Sequence, residues 1–270
     1  MEHHRIPPTP REGGFRGLDK IVVDDLIVLG RACPERIKNG RVTVCTAGYS
    51  RKLGFLRIYP TRIEMPLRQW SIVKVPLERN PQDTRKESWK IQGSKSEWDR
   101  LCDKVQVVGE LKQDERLNLI ANLVDDCVNT INESGRSLGI VKPIIEKCYF
   151  SKQEDYDTSK QLTLLGFPLP QVKEQYPLIP RIRYRCVNCK AKTPHDQQVL
   201  EWGFYEWVRK NPDKADQVWE NALIHSPKHE IFFLVGNLFR YRNVFIIISV
   251  LRLPKGPIQK QLIPPIKTFL

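Results

Sequence analysis

Short runs of alternating apolar and polar residues dominate the first hundred positions of the chain. This alternation, broken by glycine and proline, is typical of half-buried strands joined by turns. Several short strands in succession predict a small, OB-like β-barrel. The alternating or strand-rich runs cover residues 21–29, 41–47, 54–59, 70–77 and 87–91.

A different spacing follows the predicted barrel. Six apolar residues fall on one stripe at helical spacing and predict a single amphipathic helix over residues 113–132. Ser96 is a candidate cap for a shorter helix that ends near Val105. Strand character returns over residues 138–149. The stripe consists of Leu117, Ile120, Val124, Cys127, Val128 and Ile131.

The last third of the chain mixes both periods. A strand over residues 179–186 is followed by a helix that Thr193 and Pro194 open as N-cap and first residue, and by a second helix over 213–224. Strands over residues 230–235 and 243–251 complete the pattern. The predicted fold class is α+β: an OB-like small β-barrel followed by helices and a zinc-stapled β-α-α-β-β unit.

The same pattern predicts four regions along the chain. An N-terminal arm and first strand (1–40) precede a basic β-barrel-like region (41–110). A connecting amphipathic helix (111–138) then leads to an α+β unit with a Cys-x2-Cys…His cluster and a Pro-rich tail (139–270).

Charge narrows the class of partner. The 270 residues hold 44 Lys and Arg against 31 Asp and Glu, a net charge of +13, which favours a polyanionic partner such as DNA or RNA. No apolar run approaches the ~20 residues that cross a bilayer, so no membrane partner is expected. Seven cysteines without a signal-peptide pattern disfavour a disulfide framework and predict a cytoplasmic protein.

Two cysteines and one histidine have the spacing of a metal site. Cys186 and Cys189 form a Cys-x2-Cys turn, and His195 follows six residues later. A tight turn of this kind directs two thiolates at one ion, so Zn²⁺ is the expected cofactor. Buried thiols and a redox pair are the alternative interpretations. The fourth ligand is open among water and the side chains of Cys33, Cys148, His225 and His229.

The polar helix predicted after this turn suggests a second kind of chemistry. A metal-dependent nuclease needs carboxylates grouped with a histidine to hold Mg²⁺ or Mn²⁺ near a phosphate. His195, Asp196, Glu201 and Glu206 are the catalytic candidates. Ordinary helix polarity explains the same residues, so whether the protein is an enzyme is open.

The predicted barrel carries the densest positive charge. Residues 41–95 hold 12 basic and 4 acidic side chains, a local charge of +8. Alternation places Phe55, Arg57 and Tyr59 on one strand face, which suits phosphates and stacked bases, and Leu56 and Ile58 on the core face. The candidate nucleic-acid-binding residues are Arg51, Lys52, Phe55, Arg57, Tyr59, Arg62, Arg68 and Lys74.

Two sequence blocks resemble a known group of proteins. Thr43-Val-Cys-Thr-Ala-Gly and Leu56-Arg-Ile-Tyr-Pro resemble the opening of dual-OB-type domains in prokaryotic genome-conflict systems. The block Arg183-Tyr-Arg-Cys-x2-Cys…His195…Glu201-Trp…Glu206, with Phe232-Phe-Leu-Val-Gly-Asn and Phe245-Ile-Ile-Ile, is similar to a poorly characterised set of prokaryotic proteins. The resemblance implies a nucleic-acid-handling barrel in a defence or mobile-element setting.

Together these features predict a nucleic-acid-binding protein, a non-enzymatic component of a prokaryotic antiviral defence or mobile-element system. Other protein subunits of a larger complex are further possible partners. The alternative is a metal-dependent nuclease that uses the helix at His195. DNA or RNA, and single or double strand, are left open.

Overall fold

The structure, a computed structural model, describes residues 19–37, 40–153, 172–189 and 191–255. The arm expected before residue 19 and most of the Pro-rich tail lie outside these residues. The first seven strands are β1 (Lys20–Arg31), β2 (Glu35–Arg36), β3 (Val42–Ser50), β4 (Gly54–Thr61), β5 (Ser71–Arg79), β6 (Ser88–Ile91) and β7 (Gln106–Glu110).

Five of these strands close into a ring, called here the first ring. Its order is β1-β3-β4-β6-β5, and β5 pairs back onto β1. All neighbours are antiparallel except β4 and β6, which run parallel with Arg57 opposite Ser88. This is the five-stranded Greek-key arrangement of an OB fold, so the predicted OB-like barrel is confirmed. Leu56 and Ile58 are buried inside it, as the alternation predicts.

The connecting segment is more divided than the sequence pattern suggests. Instead of one helix over residues 113–132, the chain forms α1 (Gln113–Ala121), the two-residue strand β8 (Val124–Asp125) and α2 (Val128–Glu133). The prediction of one continuous helix is therefore wrong. Val124 and Asp125 pair in parallel with the following strand, and this tertiary pairing outweighs the local helical period. The helix expected after Ser96 is a 3-10 helix at Trp98–Lys104.

The rest of the chain forms a second set of strands and two helices. The strands are β9 (Leu138–Val141), β10 (Pro143–Lys152), β11 (Leu178–Cys186), β12 (His195–Gln198), β13 (His229–Asn237) and β14 (Phe245–Pro254). Helices α3 (Trp202–Lys210) and α4 (Gln217–Asn221) lie between β12 and β13, and short 3-10 helices cover Lys173–Gln175 and Pro212–Lys214.

These strands repeat the strand order of the first ring. The continuous segment β9–β10 pairs with β13 through its first part and with β11 through its second part. One sheet has the order β10-β11-β12, and the other contains the order β9-β13-β14. A parallel bridge between Val199, directly after β12, and Ile247 in β14 joins the two sheets. The five segments therefore form a second OB-type ring, called here the second ring, with α3 and α4 between its third and fourth strands.

The second ring corrects the expected β-α-α-β-β unit. His195 opens strand β12, opposite Tyr184, and the helix begins only at Trp202. The capping signal at Thr193 and Pro194 does not start a helix, because pairing of β12 with β11 satisfies the backbone hydrogen-bonding groups. The same pairing buries Gln197, whose Oε1 accepts a hydrogen bond from the Tyr184 hydroxyl at 2.8 Å. The fold is thus mostly β with a few helices.

The two rings share a hydrophobic core. Each ring has its own buried cluster, and a third cluster, the shared core, draws on both. At Gly30 the rings approach so closely that a Cβ would lie 2.4 Å from the Ser249 Cβ. The buried members of the shared core include Ile27, Leu29, Ala47 and Trp70 from the first half and Ile140, Phe232, Leu234, Ile248 and Leu251 from the second.

A buried polar joint fixes the rings beside this core. Ser137, directly before β9, donates its backbone N–H and its hydroxyl to the two carboxylate oxygens of Glu87, each at 2.8 Å. The Ser137 carbonyl accepts a hydrogen bond from Arg57 Nη2 at 3.0 Å. Because all three residues are buried, this joint sets where the first ring meets the second.

No helix among the described residues has the length and apolar character needed to cross a membrane.

Candidate metal centre and inter-barrel cleft

Four side chains converge beside the second ring. Cys186 ends β11, Cys189 follows in the turn, and His195 opens β12. Cys127 joins them from the residue before α2. The ligand atoms of these four residues all lie within 4.8 Å of one another, so the cluster can hold a metal ion.

The three distances among Cys127, Cys189 and His195 are slightly shorter than the edges of a tetrahedral metal site. Cys127 Sγ lies 3.2 Å from Cys189 Sγ and 3.4 Å from His195 Nε2, and Cys189 Sγ lies 3.3 Å from the same nitrogen. With metal–sulfur bonds of ~2.3 Å, the edges of a tetrahedron are ~3.8 Å, so small outward shifts would seat an ion. The sulfur–sulfur distance is far above the ~2.05 Å of a disulfide bond.

The local environment sets the proton affinities of these ligands. Burial raises the pKa of the Cys127 and Cys186 thiols. Burial also acts on Cys189, but hydrogen bonds from Cys127 and from backbone N–H groups outweigh it and lower the pKa of that thiol. Burial, with the nearby Arg185 charge, lowers the pKa of His195 and favours the neutral imidazole that metals bind.

The structure brings together the three residues that the spacing pointed to and adds Cys127 as the fourth. The side chains of Cys33, Cys148, His225 and His229, which the sequence left open, lie outside the cluster. Cys127 is 59 positions before Cys186 and lies within the apolar stripe, whose pattern predicts a small core residue at this position. Asp125 and Asp126 fit the polar side of the predicted helix, so no local pattern marks Cys127 as a ligand.

The four catalytic candidates do not assemble. Asp196 accepts hydrogen bonds from Tyr149 and Arg181, while Glu206 pairs with Arg209 and the Tyr176 hydroxyl. Glu201 accepts hydrogen bonds from Ser249, Val250 N–H and Arg252. Each carboxylate thus has a separate structural role, and within the described residues His195 is grouped with cysteines alone.

The candidate nucleic-acid-binding residues divide into two sets. Arg51, Lys52, Arg68 and Lys74 are exposed, and Lys52 pairs with Asp24. The other four are half-buried or buried: Phe55 packs against the shared core, Tyr59 contacts Thr43, Arg62 donates to the carbonyls of Trp98 and Asp99, and Arg57 belongs to the polar joint.

A cleft of about 580 Å³ opens where the two rings meet. The first ring lines it with the β1–β3 connection, with strands β3 and β4, and with the β5–β6 connection. The second ring contributes the segments around Lys173 and Leu200 and the β13–β14 hairpin tip. The lining residues include Glu35, Cys45, Arg57, Tyr59, Asp83, Arg85, Lys173, Asn237, Phe239, Arg240 and Tyr241.

The hairpin tip between β13 and β14 places aromatic side chains at the cleft. Phe239 is 49% exposed and Tyr241 is 65% exposed. The guanidinium of Arg242 lies 5.2 Å from the Phe239 ring centroid, and that of Arg85 lies 5.7 Å from it. An aromatic and basic surface therefore borders the cleft, at a hairpin tip that carries no sequence motif typical of a binding site.

The β5–β6 connection lies beside the hairpin tip and is fixed there by hydrogen bonds and an ion pair. Burial alone would raise the pKa of Asp83, but hydrogen bonds from Arg85 and Ser88 lower it to about 2. Arg85 also donates to the Asn237 carbonyl at 2.9 Å, which ties this connection to the second ring. Asp83 is therefore ionised at neutral pH, and its charge is compensated by Arg85.

Two family models match the chain. Residues 23–124 match the family described as Domain of unknown function (DUF8758), and residues 126–267, more than half of the chain, match Domain of unknown function (DUF8757). No curated protein matches. The solved structures that match include a Replication Protein A heterotrimer bound to ssDNA, at 11% identity and a TM-score of 0.34. That match covers 92% of this chain and 52% of the matched chain, so this chain spans about half the length of the matched chain.

Proposed function

We propose a function for this chain, which belongs to the family described as Domain of unknown function (DUF8757). The chain binds single-stranded nucleic acid in the cleft between its two rings and does not cleave it. The carrying observation is the hairpin tip, where Phe239 and Tyr241 are exposed between arginines at the mouth of the cleft. Exposed aromatic rings beside basic groups offer stacking faces to unpaired bases.

The position of the cleft supports this proposal. OB folds bind oligonucleotides on the face of their second and third strands, between the first and the last connecting loops. In the first ring these are β3 and β4 with the β1–β3 and β5–β6 connections, and all of them line the cleft. The last loop of the second ring is the β13–β14 hairpin itself.

The charge of the cleft supports a polyanionic ligand. Four cationic residues line it, Arg57, Arg85, Lys173 and Arg240, against the two acidic residues Glu35 and Asp83. Since Asp83 is compensated by Arg85, the remaining balance is positive. Arg51, Arg68 and Lys74 are exposed elsewhere on the first ring and add to its positive charge.

The metal centre has a structural role in this proposal. Three thiolates and one imidazole are a ligand set that suits Zn²⁺, and four protein ligands leave no position for a water or substrate. A zinc ion there would join the β11–β12 turn to the start of α2. Because the acidic candidates are each engaged elsewhere, no residues are assigned to a Mg²⁺- or Mn²⁺-dependent cleavage step. A defence or mobile-element setting and further protein partners stay predictions from the sequence resemblance.

Salt dependence tests the proposal. For a short fluorescent single strand, we expect the logarithm of affinity to fall linearly with the logarithm of salt, by ~0.7 per phosphate contact. Arg240→Ala should weaken binding to all sequences and reduce that slope by about one contact. Fluorescence anisotropy between low and moderate salt measures both quantities.

Arg100→Ala is the matched control, because Arg100 is exposed on the 3-10 helix and pairs with Asp103 away from the cleft lining. It should leave affinity and slope unchanged. Absence of binding to single strands at low salt, or equal effects of the two variants, would contradict the proposal.

A further inference from the structure

Arg57 is a buried cation that forms no ion pair within the described part of the chain. Its side chain is only 5% exposed, and no carboxylate of the described residues forms an ion pair with it. Nη2 donates to the Ser137 carbonyl, and Nη1 reaches only the Cys45 sulfur, at 3.7 Å. Nε has no hydrogen-bond partner among the described residues. A guanidinium has five N–H donors, so most of its capacity is unused.

An uncompensated buried charge of this kind is costly unless something else supplies the opposite charge. The nearest acidic member of the cleft, Asp83, is already compensated by Arg85 and also bonded by Ser88. Glu87 is bonded to Ser137. The acidic groups next to Arg57 therefore serve other donors, while the positive charge of Arg85 adds to that of Arg57.

The fold makes room for this guanidinium. Gly236 lies against it, and a Cβ at that position would lie 2.8 Å from Arg57 Nη2. Arg57 lines the cleft, and so does Cys45, the residue whose sulfur its Nη1 contacts. The guanidinium of Arg57 with its neighbours Cys45, Ser137 and Gly236 is called here the floor of the cleft.

We propose that this floor is a phosphate subsite, in which Arg57 binds one phosphate of a nucleotide while the aromatic rings at the mouth contact its base. This inference deepens the proposed function and rests on it. Under this inference, one nucleoside monophosphate is enough to bind in the cleft, without the rest of a strand. A volume of about 580 Å³ lies in the range of small-molecule sites.

Calorimetric titration of the full chain tests the subsite. We expect a nucleoside 5′-monophosphate to bind at least tenfold more tightly than the same nucleoside, and inorganic phosphate to compete with it. Equal affinity for nucleoside and monophosphate, or no monophosphate binding, would overturn the subsite.

Two substitutions locate it. Cys45→Asp places a carboxylate beside Arg57 Nη1 and should abolish monophosphate binding, whereas Cys45→Ser should keep it. Arg57→Lys, which retains the charge but loses the planar set of donors, should weaken binding at least tenfold. Arg116→Gln is the control, since Arg116 is a half-buried arginine of α1 outside the cleft lining. Thermal unfolding of each variant verifies that it folds. Monophosphate binding that Cys45→Asp leaves intact in a folded protein would place the phosphate elsewhere and overturn the subsite.

Single-strand binding, measured in parallel, separates this inference from the proposed function. A wild-type chain that binds the strand but not the monophosphate overturns the subsite alone. A chain that binds the monophosphate but no strand supports the phosphate site and contradicts the proposed strand-binding function.

Discussion

Replacing Phe239 and Tyr241 together by serine is expected to weaken single-strand binding by at least about 30-fold. Each base stacked on an aromatic ring contributes ~1–3 kcal/mol, so the loss of two rings costs ~2 kcal/mol or more. Since both side chains are exposed at the hairpin tip, their removal should leave the thermal midpoint of unfolding close to that of the wild type. Anisotropy titrations and a thermal scan measure the two effects.

The matched control removes a comparable exposed apolar pair elsewhere. Val107 and Val108 on β7 are each 49% exposed and lie outside the cleft lining. Replacing both by serine should leave affinity unchanged. If the hairpin variant binds the strand as tightly as this control does, the aromatic tip is not a stacking surface and the carrying observation of the proposed function is lost.

Cys127→Ser is expected to remove a bound zinc ion and to lower the thermal midpoint by ~5–10 °C. Metal binding to a four-ligand structural site contributes ~10–16 kcal/mol to the folding of small zinc domains. This chain also has hydrophobic cores away from the metal cluster, so it should gain less: a bound ion adds ~2.7 kcal/mol at a free zinc concentration ~100-fold above its dissociation constant. Losing ~2.7 kcal/mol lowers the midpoint of a chain this large by ~2–4 °C for each kcal/mol. Zinc content by mass spectrometry of the purified chain and a thermal scan are the measurements.

Cys148→Ser is the control, because Cys148 packs against the same core as the cluster but supplies no ligand. It should keep the full zinc content of the wild type. A wild-type chain that takes up no zinc when zinc is supplied, or whose midpoint is the same with and without zinc, would show that the four side chains are only a packed group.

Local sequence patterns predict where the strands are and which faces they have, but not what packs against those faces. The alternation over residues 54–59 correctly separates Leu56 and Ile58 from Arg57, since the period of a strand is fixed by its backbone. It cannot reveal that the second ring covers the outer face, which buries Arg57 against Ser137, 80 positions away. The nucleic-acid-binding role assigned to the other residues of that surface stays a prediction.

The candidate metal site shows the same limit. The Cys-x2-Cys turn and His195 are local, and their spacing alone points to a shared ion. Cys127 belongs to a different element, directly after β8, which pairs with β9, so no spacing rule selects it. The helix predicted from Thr193 fails for a related reason, because strand pairing in the second ring overrides a favourable cap.

The shared core has a consequence for how such a chain can evolve. The two family models meet at residue 125, where recombination could join halves from different parents. In such a recombinant, the shared-core side chains of one half would not be complementary to those of the other half. At Gly30 even one added carbon would collide with Ser249. Inheritance of the two rings as one piece, with matched changes on both sides of the shared core, is therefore expected among relatives.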